Sequence, residues 1–453
     1  MTQPSQTQRK LTRRGFLAGS LLLGGAALVA CTPAAQPTTV PKEEATPAPK
    51  KEEATPAPKE AVTLKFHDRA GSHCDWHKKR EALFEQQNPG LKIEFDEIPG
   101  DHIAKQYALA ASGTIGDIVW CYNNAATEAV RKGVPLPLND IVAAEKFDTS
   151  VFWKTIINSY TVDGKLYGVP NHGHFGTIVY YHNEDMFKEA GVPLPTPTWT
   201  VEDLVAGAQK MTKAPDVWGL RTNGAAGEFM PSYLRMFGGE MFDPEGTKCL
   251  FDSAGSKAAI KWLYDLKFTY KVDPCICGDN TRDNFVAGKV GIYHWTPGYA
   301  AEFTLIKDWK FKWNAMVAPS GPNGARGSQV SGAAFCVTKA SKHPTEAFQV
   351  LKFFSTLEDA VEHVWGGAGS PGARQDAWTS QRLNDFHPIY KTIMATYPDG
   401  PKPYYYPKNG RLSEFNTTED AALQAIWTGK VGVDEGVAQL QKTCQEILDR
   451  EQI

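Results

Sequence analysis

Side chains able to bind a metal ion or a polar ligand are concentrated between residues 67 and 77. They are His67, Asp68, Arg69, His73, Cys74, Asp75 and His77. Imidazole and thiolate groups are preferred ligands of zinc and copper, whereas imidazoles also hydrogen-bond the hydroxyl groups of ligands. The spacing matches no established metal motif. We therefore predict neither a bound metal nor a cofactor, and metal binding stays an alternative.

Further polar candidates lie later in the chain. His172 and His174 flank a glycine, Glu228 lies in the segment GEFMPSYLRMFGGE, and His294 directly precedes Trp295. These histidines could converge with the first group on one cleft. Together with residues 67–69, they are the polar contacts that we expect for a small ligand.

No catalytic constellation can be recognised in the sequence. It has no G-x-S-x-G nucleophile elbow, no H-E-x-x-H motif and no phosphate-binding glycine loop. Paired carboxylates for glycoside hydrolysis cannot be identified from spacing alone. We predict that the protein is not an enzyme, and a secreted enzyme acting on glycosides is the alternative from another functional class.

Alternating strands and helices are predicted to position these groups. The expected elements are strands at 62–68, 91–98 and 115–122 and helices at 75–87 and 102–112. This order is typical of a parallel, doubly wound α/β sheet, whose ligands bind at the carboxyl ends of the strands. Those ends carry residues 67–69 after the first strand and Trp120, Tyr122 and Asn123 at the third.

Length, charge and aromatic content narrow the functional classes. With 453 residues, 42% of them hydrophobic, the chain is too long for one ordinary core and long enough for two lobes. Its formal net charge of -3 does not favour a nucleic-acid partner, which requires a clustered basic surface. Aromatic residues make up 11% of the chain, and their flat faces suit ligand stacking as readily as core packing, which accounts for most of them.

The first 31 residues have the features of an export signal. A basic start precedes the apolar run in TRRGFLAGSLLLGGAALVAC, which ends at Cys31 and is short for a permanent membrane helix. Arg13 and Arg14 resemble the twin-arginine export motif, and an ordinary secretory signal with paired basic residues is the alternative. Residues 28–31, LVAC, resemble the bacterial lipobox, in which the cysteine becomes the acylated first residue. We predict a lipid anchor on Cys31 that holds the protein at the outer face of the cell membrane or in the periplasm.

Residues 32–61 are predicted to be a disordered linker. Large apolar residues are nearly absent, and KEEATPAPK occurs twice in succession, so the segment cannot form a core. Proline-rich chains extend by about 3.1 Å per residue. The linker would therefore hold the folded part well away from the membrane.

Seven of the eight cysteines remain when Cys31 is set aside. An odd number in an oxidising compartment leaves at least one without a partner in the chain. A local bridge from Cys249 to Cys275 or Cys277 is the candidate pairing, and in the chain-entropy model it would contribute about 3 kcal/mol.

Several segments of the chain resemble one family. They are DGKLYGVP at 163–170, IVYYHNEDMFKEAGVPLPTPTWTVEDLVAGAQKMT at 178–212, NFVAGKVGIYHW from residue 284, GAAFCVTKASKHPTEAFQVLKFF at 332–354 and GSPGARQDAW at 369–378. In this order they are similar to blocks of the family 1 extracellular solute-binding proteins, which include maltose-binding and other sugar-binding lipoproteins. The resemblance covers nearly all of residues 62–453.

This resemblance implies a two-lobed α/β fold of the periplasmic-binding-protein type II class. Each lobe is a doubly wound sheet flanked by helices, and crossovers join the lobes. Lobe 1 is expected to comprise 62–174 plus about 313–356, and lobe 2 is expected to comprise 175–312 plus about 357–453.

The resemblance also implies aromatic ligand contacts. Trp120 corresponds to a stacking aromatic of the first lobe, and Trp295 to the tryptophan that closes the block beginning at residue 284. Phe229 or Tyr233 lies where the family often has an aromatic residue of the second lobe. Phe415 lies near another such position.

Two departures from the family pattern affect the predicted site. Arg374 takes the place of the arginine in the family's proline-alanine-arginine motif, although Gly372 is inserted before the alanine. Tyr293 and His294 replace smaller residues before the tryptophan. The resemblance therefore implies contacts from Arg374 and His294 and a narrowed cleft.

The function implied by the resemblance is solute capture for transport. The protein would be a monomeric, lipid-anchored component of an ABC importer that binds a small polar solute, a carbohydrate by this resemblance, between its lobes. It would deliver the solute to the membrane permease subunits with their ATPase. A non-sugar solute is the remaining alternative.

Overall fold

The computed structural model describes residues 61–222, 226–277 and 281–453. These residues belong to the unit Lys59–Ile453. The predictions for the leader 1–31, for lipidation of Cys31 and for the linker 32–61 lie outside the described residues, except at Ala61. No helix of the described ranges has both the length and the apolar character that crossing a membrane requires.

Strands and helices alternate through the first half of the described chain, and helices dominate the C-terminal part. The strands are β1 Val62–Arg69, β2 Leu91–Ile98, β3 Ile118–Tyr122, β4 Thr161–Val162, β5 Lys165–Leu166, β6 Val169–His174, β7 Val179–Asn183, β8 Trp218–Arg221, β9 Val290–Trp295, β10 Trp313–Val317 and β11 Ser331–Val337.

The helices are α1 Ser72–Gln87, α2 His102–Ala111, α3 Ala126–Arg131, α4 Asn139–Ala144, α5 Lys154–Ser159, α6 Glu184–Glu189, α7 Val201–Met211, α8 Met230–Met236, α9 Ala254–Phe268, α10 Thr281–Val286, α11 Tyr299–Leu305, α12 Pro344–Phe353, α13 Leu357–Trp365, α14 Gln375–Trp378, α15 Gln381–Phe386, α16 Ile389–Thr396, α17 Leu412–Trp427 and α18 Val433–Leu448. The strands and helices expected between residues 62 and 122 are all present, with ends displaced by no more than a few residues.

Five strands form the first sheet, in the order β2-β1-β3-β11-β6. β1 pairs in parallel with β2 and β3, as the alternation of strands and helices predicts. β11 runs antiparallel to both β3 and β6, so the sheet is mixed. The ring of Phe66 on β1 meets the edge of Phe335 on β11, with centroids 4.7 Å apart. We call this sheet and the helices packed on it lobe 1.

Four strands form the second sheet, in the order β10-β7-β9-β8. β7 runs antiparallel to β10 and β9, and β8 is parallel to β9. Tyr181 on β7 and Tyr293 on β9 are buried neighbours with ring centroids 6.2 Å apart. This sheet and its helices are called lobe 2.

The start of α7 in lobe 2 follows from its sequence. The Thr200 hydroxyl accepts a hydrogen bond from the Asp203 N–H over 3.2 Å. The Asp203 carboxylate accepts one from the Thr200 N–H over 2.9 Å. This reciprocal capping pairs two amide groups that the first helical turn leaves free, so the helix starts at Thr200.

Two of the predicted lobe boundaries are wrong. The return to lobe 1 was expected at about residue 313, but Trp313–Val317 is β10, which pairs with β7 in the second sheet. The chain enters the first sheet again at Ser331, where β11 pairs with β3 and β6. Likewise α13, expected in lobe 2, packs on α1 of lobe 1 through the Trp76 indole, which donates to Asp359 over 3.2 Å.

The predicted disulfide of Cys249 is also wrong. Cys275 and Cys277 are joined to each other. Cys249 lies free and buried, and its thiol neighbours that of Cys444 on α18. The turn at 274–277 brings Cys275 and Cys277 together, and Cys249 stays in the core.

Candidate functional site

A cavity of about 350 Å³ lies between the two lobes. Lobe 1 contributes the ends of β1, β3 and β6 and the start of α1, and lobe 2 contributes the end of β9 and the start of α11. The side chains along its wall include Arg69, His73, Trp120, Tyr122, His172, His174, Glu228, Phe229, Trp295, Tyr299, Glu302, Gln329, Ser331 and Ser370. Strand ends from both sheets thus meet at one site, as expected for doubly wound α/β proteins.

Three aromatic rings form one wall of the cavity. The ring of Trp295 lies 5.2 Å from that of Phe229 and 5.5 Å from that of Tyr299, measured between centroids. All three side chains are partly exposed. Tyr293 stacks behind Trp295 at 6.3 Å with an angle of 14° between the rings. We call Trp295, Phe229 and Tyr299 the aromatic wall.

Trp120 borders the cavity but presents no open face to it. Its side chain is fully buried, and His73 and Phe335 cover it at centroid distances of 5.2 Å and 5.8 Å. The indole nitrogen has no hydrogen-bond partner among the described residues. In this arrangement Trp120 supports the floor of the cavity from behind, which differs from the stacking role predicted for it.

Charged groups of both signs surround the same cavity. The Arg69 guanidinium lies 5.8 Å from the centroid of the Tyr122 ring and forms no ion pair within the described residues. Burial raises the pKa of Glu228 and of Glu302, and the Arg69 charge opposes that shift. The Ser331 hydroxyl donates to the Glu228 carboxylate over 3.4 Å. The cleft therefore offers a cationic donor and acidic acceptors at short range.

Four histidines are gathered at one side of the cavity: His73, His172 and His174 line it, and His363 lies behind His73. The rings of His73 and His172 are 4.7 Å apart, those of His73 and His363 are 5.0 Å apart, and those of His172 and His174 are 5.4 Å apart. Burial lowers the pKa of each ring, and the neighbouring imidazoles lower the pKa of His73 and His172 further. The pKa of His174 falls to about 4 and that of His363 to about 3. These rings are neutral at pH 7.

Two predicted contacts from β1 are engaged inside lobe 1. Asp68 lies 2.6 Å from Nδ1 of His77. Nε2 of His67 accepts the Gly116 N–H over 2.7 Å, and its Nδ1 lies 2.8 Å from Asp96. Both side chains are fully buried. They do not line the cavity, because helices and neighbouring strands cover both faces of β1.

Tyr233 and His294 support the second lobe from behind the cavity. The His294 Nε2 donates to the Thr177 carbonyl over 3.0 Å, since a carbonyl oxygen can only accept, and its Nδ1 accepts from the Tyr233 hydroxyl over 2.7 Å. The ring stacks on Tyr180 at 4.3 Å. Burial lowers the pKa of His294 to about 4. Thr177 lines the cavity. Tyr233 and His294 therefore hold this part of the cavity lining in place without contacting the cavity themselves.

Two further predicted contacts lie away from the cavity. Arg374 forms an ion pair with Asp376, with Nη2 2.7 Å from the carboxylate. Phe415 is fully buried and packs on Phe242 at a centroid distance of 4.7 Å. Neither residue lines the cavity. Although both align with family contacts, Arg374 is held by an ion pair and Phe415 by packing in the core.

Several lining residues were not predicted. Tyr299 and Glu302 lie three residues apart on α11, directly after Trp295, so their helical spacing places both on one face. That signal was available in the sequence. Ser370 lines the cavity, and His363 lies behind it against the ring of His73. Both are brought there by the packing of α13 on α1, and nothing local to their segments indicates it.

Comparisons with known proteins agree with this fold. A family model described as bacterial extracellular solute-binding protein matches residues 81–385. An arabinooligosaccharide-binding protein from Halalkalibacterium halodurans is 26% identical over 355 residues, which cover 73% of this chain and 76% of that protein.

Solved structures show the same architecture. An ABC substrate-binding protein from Listeria monocytogenes, in complex with cycloalternan, matches with a TM-score of 0.77 and 21% identity, over 86% of this chain and 99% of that chain. UgpB from Mycobacterium tuberculosis, in complex with glycerophosphocholine, matches with a TM-score of 0.74 and 18% identity, over 86% of this chain and 99% of that chain.

Fold and site define a two-lobed ligand-binding protein of the periplasmic-binding class. The family match extends over more than half of the sequence, and the chain belongs to the bacterial extracellular solute-binding proteins. The resemblance seen in the sequence is thereby confirmed, as is the prediction of a binding protein that catalyses no reaction.

Replacing His294 by Gln should make folding stability less dependent on pH between about 6.5 and about 4. In that window the unfolded chain protonates this histidine, whose ordinary pKa is 6.5, and the folded protein, with a pKa of about 4, does not. Stability from this group is therefore complete above about pH 6.5 and is lost as the pH falls. The wild-type protein should lose up to about 1.4 kcal/mol more per pH unit than the variant.

Urea unfolding at pH values across this window, read by fluorescence, measures the difference. The variant is expected to be less stable at neutral pH because it lacks the paired ring. Parallel stability curves for the two proteins would contradict the buried, neutral state of His294.

Proposed function

We propose that the protein binds a carbohydrate between its lobes and passes it to an ABC importer. The observation that carries this proposal is the aromatic wall, which shares one cavity with Arg69, Glu228 and Glu302. Sugar rings present apolar C–H faces to flat side chains and hydroxyl groups to charged donors and acceptors. A cavity with both kinds of group suits a polyhydroxylated ligand better than a purely apolar or a purely ionic one.

The size of the cavity favours a small ligand. Its volume of about 350 Å³ lies near the lower end of the range for small-molecule sites, about 300–1,000 Å³. We infer that one or two sugar units occupy it. Tyr293, buried behind Trp295, fills space that a smaller residue would leave open.

Names of the relatives support the proposal. One relative is an arabinooligosaccharide-binding protein, and one structural neighbour holds cycloalternan. The neighbour with glycerophosphocholine suggests a second candidate, because the unpaired Arg69 guanidinium could bind a phosphate. Glu228 and Glu302 would repel that phosphate, so the carbohydrate is favoured.

Binding would be coupled to transport by lobe closure. A ligand held by one lobe gains contacts with the other only when the cleft narrows, so it shifts the population toward the closed form. The permease subunits of the importer, with their ATPase, would distinguish the closed form from the open one. The ligand is released unchanged.

We also propose the cellular arrangement from the N-terminal sequence. Export would use the twin-arginine motif at Arg13 and Arg14, and acylation of Cys31 would anchor a monomer outside the membrane. The linker at 32–61 would let the folded part reach both solute and permease.

Replacing Trp295 by Ala should weaken carbohydrate binding by about 1 kcal/mol or more, because the central ring of the aromatic wall is lost. Titration calorimetry against a panel of mono- and oligosaccharides, polyols and glycerophosphocholine measures the change and identifies the ligand class. Circular dichroism should be unaltered, since the side chain is only partly buried.

Trp365→Ala is the matched control. Trp365 lies on α13, is 41% exposed and does not line the cavity. Its replacement should leave the affinity unchanged. Equal affinities for wild type and Trp295→Ala would remove the aromatic wall from the site, and binding of glycerophosphocholine alone would overturn the carbohydrate proposal.

Replacing Cys31 by Ala should release the protein from the membrane. Without a thiol to acylate, the chain has no covalent lipid, and the exported protein should move from the detergent phase to the aqueous phase in Triton X-114 partitioning. Thr32→Ser is the control and should stay in the detergent phase. Detergent partitioning of both variants would contradict anchoring through Cys31.

A further inference from the structure

Three histidines from separate elements converge at the floor of the cleft. His73 lies on α1, His172 on β6 and His363 on α13, and one ring nitrogen from each lies within 4.8 Å of the others. Nδ1 of His73 is 2.9 Å from Nε2 of His363. Nitrogen atoms bound to a tetrahedral zinc ion at 2.0–2.1 Å are separated by about 3.3 Å. Small ring movements would therefore bring the three atoms into that geometry.

The backbone fixes the tautomer of one ring. Nδ1 of His363 donates to the Ser370 carbonyl over 3.1 Å, since the carbonyl can only accept. Nε2 of His363 therefore carries a lone pair, and it is this atom that faces His73. Metal-binding histidines are commonly oriented by such a hydrogen bond from the other ring nitrogen.

One ring nitrogen of the cluster also lacks a hydrogen-bond partner among the described residues. Nδ1 of His172 is buried and has no hydrogen-bond partner among the described residues, while its Nε2 lies 3.4 Å from the Ser370 hydroxyl. A buried polar atom without a partner is costly. A cation bound at Nδ1 would remove that cost.

We propose that His73, His172 and His363 bind one divalent transition-metal ion of the zinc or copper class. A set of three imidazoles matches the ligand preference of these ions and not that of calcium or magnesium, which take oxygen ligands. His73 and His172 also line the cavity. A fourth coordination position would thus open to the cleft, where an oxygen or nitrogen atom of the bound solute could complete the shell.

Charges around the cavity act on this site in both directions. Arg69 lowers the pKa of His73 and of His172, and its charge likewise opposes a bound cation. Glu228 and Glu302 line the same cavity, and their negative charges favour a bound cation. The rings themselves are in the neutral form that metals require. Metal binding does not depend on the solute being a carbohydrate.

Titration of the metal-free protein tests the proposal. After treatment with EDTA and gel filtration, the protein is titrated with ZnCl₂ by calorimetry and with CoCl₂ by visible absorption. We expect one equivalent of Zn²⁺ with a micromolar or tighter Kd, and the intense visible bands of low-coordinate Co²⁺. His73→Gln and His363→Gln should each weaken Zn²⁺ binding by at least about tenfold, because each removes one of three ligands.

His343→Gln is the control for binding elsewhere. His343 precedes α12 and does not line the cavity, so its replacement should leave the Zn²⁺ affinity unchanged. Absence of saturable Zn²⁺ binding to the wild-type protein, or wild-type affinity in both ligand variants, would overturn the site. If a variant does not fold, X-ray absorption of the zinc-loaded wild-type protein decides instead: fewer than three imidazole ligands would refute the assignment. Sugar titrations of the same metal-free samples test the proposed function separately, because carbohydrate binding can succeed or fail whatever the result with Zn²⁺.

Discussion

Hydrogen bonds between the two crossing segments hold the cleft in shape. The Ala318 N–H donates to the Ile178 carbonyl over 2.6 Å, and the Gln329 N–H donates to the Phe175 carbonyl over 3.2 Å. Each bond joins the segment that enters lobe 2 after β6 to the one that returns to lobe 1 before β11. The two sheets are therefore connected by a paired ribbon, and both of its segments line the cavity. Such a connection can flex as a hinge while the site residues stay on rigid strands and helices.

This arrangement takes polar groups partly out of water. Glu228 and Glu302 have raised pKa values because they are buried, and Arg69 lacks an ion-pair partner among the described residues. A guanidinium left without an ion partner in a narrow cleft is costly, so a ligand that supplies hydrogen bonds to Arg69 binds better. Selectivity then follows from the placement of ligand hydroxyl groups, since an analogue without one leaves a buried group unsatisfied. The histidines beside the cavity are also buried polar groups, and Nδ1 of His172 has no hydrogen-bond partner among the described residues.

Much of the fold could be predicted from local patterns, but only part of the site. Arg69 could be predicted from its position at the end of a strand, and Trp295 from the sequence block that it closes. Each of these two signals is contained in a short stretch of sequence. Asp68 failed as a contact because its partner His77, nine residues away, pairs with it inside lobe 1. His363 was missed because α13 reaches α1 only through tertiary packing, and Phe415 aligned with a family position that packing has filled. Alternation of strands and helices predicts a sheet, whereas it cannot say which helix covers which edge.

Solving the crystal structure of the protein with its tightest-binding saccharide tests the central claim most directly. Ring density stacked on Trp295 on one side, with hydroxyl groups within hydrogen-bond distance of Arg69 on the other, is the expected result, because one ligand must then bridge both lobes. A saccharide bound to one lobe alone would contradict it. So would a saccharide in the separate pocket formed by Tyr404 and Tyr406.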